Sequence, residues 1–211
     1  MRIKKDFTFS GGGTVKVHEI SSSDLDLFQD MSVEAEKAAY KDVGLSAFAM
    51  AYYPVLVACT DNPPPLEESY AKEMQDLDNW YLLCCQLNED WLGKVIYIEE
   101  TIKINNKNIV IKSRRPSVDL RLATIEQALK AEKPLENKAD EEYRAGAYIA
   151  AAAASFGNIP TAYQAKHELG LKEFSLWHKT VRKLIPEWYG DEPAQAEPIV
   201  EKKSASKKPA A

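Results

Sequence analysis

Alternating apolar and polar positions open the chain. Phe7, Phe9, Val15 and Val17 alternate with polar residues on either side of Gly11-Gly12-Gly13, which predicts a β-hairpin. Ile102, Ile104, Ile109 and Ile111 repeat the pattern around Asn105-Asn106-Lys107-Asn108. Gly and Asn accept the positive φ angles that tight hairpin turns demand. After each hairpin the period changes from two to that of a helix. The change follows Ser23 in one case and Ser117 in the other, each placed to cap exposed backbone N–H groups.

In the first half the helical spacing runs through about 23–41, and Asp42-Val43-Gly44 interrupts it. Leu45 to Cys59 then lacks a polar face, so it is either a buried helix or one with an exposed binding face. Pro54 should kink it. Asp61 to Pro65 reads as a loop, Leu66 to Met74 as a helix, and a last helix, capped by Asp76, ends near Gly93. In the second half Lys94 to Ile104 reads as one long strand, followed by helices at about 117–131, 139–156, 161–168 and 171–185. The second of these helices, 139–156, holds Tyr148 to Ala154, whose alanines favour a helix that another backbone can approach closely.

The two halves match. The four tryptophans fall into two pairs, Trp80 with Trp91 and Trp177 with Trp188, and the second pair lies 97 residues after the first. Leu87 and Gly93 match Leu184 and Gly190, Asp90 matches Glu187, and Pro63 matches Pro160. Self-similarity at a fixed period predicts a repeated unit. The expected fold is α+β and mostly α: two tandem pseudo-repeats, 1–93 and 94–190, each a β-hairpin followed by three to four helices. Residues 191–211 are Pro, Ala, Lys and Glu with little to bury and are expected to be disordered.

Charge divides along the same line. Residues 1–93 carry 7 Lys and Arg against 16 Asp and Glu, whereas 94–190 carry 16 against 12. Opposite signs favour docking of one half on the other or on a neighbouring chain. The basic residues of the second half are spread among acids and form no recognised nucleic-acid motif, so nucleic acid is not the expected partner. No apolar run is long and clean enough to span a membrane, and Met1 to Phe7 reads as a strand, not a signal peptide. Cys59, Cys84 and Cys85 are odd in number and lack metal-ligand spacing, which fits buried thiols in a reducing cytoplasm.

Chemistry-bearing motifs are sparse. His18, His167 and His178 sit in different elements with no Cys or carboxylate at ligand spacing. Gly11 to Gly13 lacks the strand–loop–helix context of a phosphate loop. Glu67-Glu68 and Glu141-Glu142 lie at helix starts, where the dipole favours them. Neither a catalytic constellation nor a cofactor is expected. Trp80, Leu83, Cys84, Leu87 and Trp91 share one helical stripe, as do Trp177, Val181, Leu184 and Trp188. Such a stripe is either core or the wall of a groove that accepts an apolar helix.

The stretch Ile102 to Leu120, with its hairpin, Arg114-Arg115-Pro116-Ser117 and helix start, resembles the phage tail assembly chaperones. So does Leu169-Gly-Leu171-Lys-Glu-Phe174-Ser-Leu-Trp177 of the final helix. The first half is less similar, since Ile20 to Ser23 replaces the Arg-Arg-Pro-Ser motif. The resemblance implies a non-enzymatic protein of the bacterial host cytoplasm, absent from the mature virion. Such a protein shields the helical tape measure protein during tail assembly. The chain itself or the tail tube protein are further candidate partners. The contacts expected on this reading are Phe48, Tyr52, Tyr53, Trp80, Trp91, Tyr148, Phe174, Trp177 and Trp188. The alternative is a structural component of the tail or baseplate.

Overall fold

The computed structural model describes residues 2–26, 30, 42–132 and 139–190. The fold is α+β and mostly helical, with two three-stranded antiparallel sheets. β1 (Lys4–Thr8) pairs with β2 (Thr14–His18), setting Phe7 opposite Val15. β4 (Glu99–Ile104) pairs with β5 (Lys107–Lys112), setting Ile102 opposite Ile109. The turns use the residues that positive φ requires: Gly12 and Gly13 at 89° and 88°, and Asn105 and Asn106 at 48° and 59°.

Each hairpin gains a third strand from far along the chain. β3 (Thr60–Asp61) lies along β2 with Thr60 opposite Val17, and β6 (Ser155–Gly157) lies along β5 with Ser155 opposite Ile111. Both are too short to show a period of two. Ser155 and Phe156 fall inside the helix expected at 139–156, which instead ends at Ala154. The strand expected over Lys94 to Ile104 begins only at Glu99, since among the described residues the ladder with β5 starts at Glu99 opposite Lys112.

The first half continues with α1 (Val43–Ala51), α2 (Tyr53–Ala58), α3 (Leu66–Tyr70), α4 (Met74–Leu87) and α5 (Glu89–Leu92). Asp42, in extended geometry, caps α1: its side chain accepts the Leu45 N–H at 2.8 Å, and Val43 and Gly44 belong to the helix that follows. At Pro54 the helix is broken, not merely kinked. Tyr52 leaves helical geometry at φ −120°, and Pro54 occupies the first turn of α2, where its missing N–H is harmless. Asp76 does not cap α4; it lies in the first turn and accepts from the Ser10 N–H and hydroxyl at 2.9 and 2.7 Å.

In the second half come α6 (Pro116–Glu132), α7 (Ala139–Ala154), α8 (Ala162–His167), α9 (Leu171–Leu184) and a 3₁₀ turn at Pro186–Tyr189. Ser117 is inside α6 and is not its cap. Ser21, not Ser23, precedes the helical residues 22–26, with its N–H and hydroxyl on the Asp24 carboxylate at 2.7 and 2.8 Å. Most of the helix expected at 23–41, and the whole tail 191–211, lie outside the described residues.

Buried apolar side chains gather in two clusters. One unites Phe9, Val17, Phe48, Leu56, Leu77 and Trp80. The other unites Ile104, Ile109, Ile111, Ala151, Trp177 and Val181. α6 serves both: Leu120 belongs to the first cluster and Val118 to the second.

Candidate partner-binding surfaces

Trp80 and Trp177 are wholly buried. Each indole N–H donates to a hydroxyl on the third strand of its own sheet, Trp80 to Thr60 Oγ1 at 3.2 Å and Trp177 to Ser155 Oγ at 2.8 Å. A buried indole needs such an acceptor. Other bonds recur in the same way. The Tyr53 hydroxyl donates to the Pro64 carbonyl at 3.0 Å, and the Tyr148 hydroxyl to the Pro160 carbonyl at 3.1 Å. Asp76 accepts from Ser10 N–H in one hairpin turn; Glu173 accepts from Asn105 N–H, at 3.0 Å, in the other. Corresponding partners lie 95 to 97 residues apart.

The nine residues expected to meet a partner do not form one surface. Phe48, Tyr52, Tyr53, Trp80 and Trp177 are buried, and so they are core and not walls of an open groove in the folded chain. The apolar stripe was legible in sequence, but stripes of core and groove look alike there. Tyr148, Phe174 and Trp188 are half-buried against the second cluster. Trp91 alone of the nine is exposed, at 40%.

Where the halves meet, the arrangement is polar as well as apolar. α6 packs across α1 and α4 of the first half and against α7 of its own. Asp78, 1% exposed on α4, accepts from the Ser117 N–H at 2.8 Å and from its hydroxyl at 2.6 Å. A carboxylate at a helix N-terminus satisfies orphan donors and complements the dipole. Burial nevertheless raises the Asp78 carboxyl above its ordinary value; the Ser117 bonds and the Arg115 charge oppose this without cancelling it. The Tyr52 hydroxyl donates to Asp119, which also receives Arg114 Nε at 3.0 Å. Burial, then the Asp119 charge, raises the Tyr52 phenol.

Two arginines fix α6 further. Arg115 is buried, donates to Glu99 at 3.1 Å and to the Ile98 carbonyl at 3.3 Å, and lies over the Tyr97 ring. Arg121 donates to the carbonyls of Ala152, Ala153 and Ser155 at 3.1, 3.2 and 2.9 Å, closing the C-terminal end of α7. Sequence reading passed over Asp78 and Arg121, because nothing local marks a charge whose partner lies more than 30 residues away. Arg115 stood out in sequence only as part of a resemblance, and Ser117 as part of that resemblance and as an expected helix cap.

Exposed apolar side chains gather in two places among the described residues, apart from scattered ones such as Ile3 and Met50. Residues 94–97 run over α4 and form a shallow groove with Leu82, Cys85, Gln86 and Glu89, in which Ile96 is 53% exposed. Trp91 and Ile98, both exposed, flank that link in sequence. On the second half Leu171, Leu176 and Tyr163 are exposed on α8 and α9. Burial pushes the Cys85 thiol up to about 11, and that of Cys84 up as well. Among the described residues no group of three or more His, Cys, Asp or Glu side chains is placed to hold a metal ion. None of the helices they form is long and apolar enough to cross a membrane.

Comparison of the chain with protein-family models, with curated proteins and with solved structures finds no match.

Proposed function

We propose that this chain is a non-enzymatic assembly chaperone of the phage tail type. It acts in the bacterial host cytoplasm and is built from two copies of one hairpin-plus-helices unit. Its client is a long apolar-faced helix, the tape measure protein, which it covers until the tail tube assembles. The observation that carries the reading is the seat of α6. The first half receives this helix along α1 and α4, takes Leu120 into its core and holds the first turn through Asp78. A unit that accepts one helix in this way has the shape needed to cover another. An uncovered apolar helix would otherwise self-associate.

The surface for the client is the groove along 94–97 with Trp91, Ile96 and Ile98, since these apolar side chains are exposed on the folded chain. Trp80, wholly buried on the same helix as Leu82 and Cys85, anchors one wall of it from inside. The alternative is a structural component of the tail or baseplate, and the test is the composition of finished particles. A chaperone leaves as the tube closes, so peptide mass analysis of purified particles should find none of this chain. Its recovery at the stoichiometry of a tail ring would establish the alternative.

A further inference from the structure

β4 is an edge strand, since its sheet runs in the order β4-β5-β6. The Ser113 N–H donates to the Ile98 carbonyl, and the two-residue turn at Asn105-Asn106 sets Ile104 opposite Lys107. The even-numbered residues of β4 therefore bond to β5, and the backbone groups of Glu99, Thr101 and Lys103 point away from it. Among the described residues no backbone partner meets these groups. The side chains of all three are exposed. Glu99 receives Arg115 and Lys112 at 3.1 and 3.4 Å, both on Oε1, which leaves Oε2 to a further donor. Lys103 pairs with no carboxylate among the described residues.

We propose that two copies of the chain join through this edge, β4 against β4 and antiparallel, about a two-fold axis at Thr101. Two three-stranded sheets then become one of six strands. In this register Thr101 lies opposite Thr101 of the second copy, and Glu99 lies opposite Lys103 on both sides of the axis. The outward backbone groups meet as hydrogen-bonded pairs, and opposite charges and paired threonines are favourable cross-strand neighbours. The occupant is a second copy because the edge complements itself. The corresponding edge of the first half does not. There Phe9 N–H bonds to Gly13 and the Ile3 carbonyl to Glu19, so Lys4, Asp6 and Thr8 point outward. Two such edges meeting about Asp6 would set like charges opposite each other, which is unfavourable. Because the same edge is used twice, the association is isologous and closes at two copies. The inference rests on the edge of β4 and not on the chaperone reading. A monomeric chain that still captures its client would overturn the inference alone.

The test is sedimentation velocity of the full chain over a concentration series, in which a dimer is expected and nothing larger. Thr101→Pro removes an outward N–H and spares the ladder to β5, a position where an edge strand tolerates proline. Lys103→Glu leaves the backbone intact and sets two carboxylates opposite each other. Each should weaken association about tenfold or more, and far-ultraviolet circular dichroism should show both proteins folded. Thr101→Cys should crosslink copy to copy under a mild oxidant, since such paired residues stand about 5.5 Å apart at Cα. The native cysteines are buried and give no background. Lys103→Cys should not crosslink, because four residues along the strand separate it from its counterpart by roughly 13 Å. A monomer at every concentration would overturn the proposal, as would a dimer indifferent to both Thr101→Pro and Lys103→Glu. So would a dimer that crosslinks through Lys103→Cys and not through Thr101→Cys. Crosslinking of Thr101→Cys to a different protein in cells would give the edge to another partner and overturn it as well.

Discussion

Asp78 accepts two hydrogen bonds from a single residue, Ser117, at 2.8 Å from its N–H and 2.6 Å from its hydroxyl, in a site 1% exposed. The pair joins α4 of one half to the first turn of α6 of the other. Asp78→Ala leaves a buried N–H without its acceptor and should cost about 1–3 kcal/mol. Urea denaturation measures the loss, and a double-mutant cycle with Ser117→Ala should show strong coupling.

The same carboxyl gives a pH signature. Its folded value is raised, so the stability it contributes is present below the ordinary aspartate value of about 3.9 and is lost as pH rises through the folded value. The parent should therefore lose stability relative to Asp78→Asn as pH climbs from about 3.9. Denaturation midpoints of the two proteins across that range check the sign.

Trp177→Ala should destabilise the chain by about 3–5 kcal/mol, and Trp80→Ala by a similar amount, since both side chains are wholly buried. Removing only the acceptor, as in Ser155→Ala, leaves the indole N–H orphaned and should cost about 1–3 kcal/mol. Thermal melts rank the three. A Trp177→Ala protein as stable as the parent would contradict the assignment of this residue to the core.

The cysteines should be inert in the folded chain. All three are buried, and the Cys85 thiol is raised to about 11, so little thiolate exists near neutrality. Thiol titration at mild alkaline pH should find almost no reaction natively and three equivalents in denaturant.

His178 provides a signature of the opposite sign. Burial, then the Arg182 charge, lowers its imidazole below the ordinary value. Its contribution to stability is present above about 6.5 and is lost as pH falls through the lowered folded value. In His178→Phe that loss on acidification should be smaller, and imidazole shifts in NMR spectra report the titration directly.

Much of the fold could be read from short-range pattern. Both hairpins followed from alternation around Gly11 to Gly13 and Asn105 to Asn108, and the starts of α6, α7, α8 and α9 from helical spacing. The third strands escaped, because Thr60 and Ser155 are strand residues only by virtue of partners more than 40 residues away. Asp76 looked like a cap because caps are local, but its partner is the hairpin turn at Ser10. The exposed surface was the least legible part. An aromatic stripe announces burial or a groove equally, and only packing separated Trp80 from Trp91.

The central claim is that the folded chain covers a helical client. The most direct measurement is affinity capture of the tagged chain from cells assembling tails, with the bound proteins identified by mass, beside a Trp91→Glu/Ile96→Glu control that folds normally. The account predicts one long, helix-rich protein on the parent and its loss on the control. Recovery of nothing, or of the same proteins on both, would contradict it.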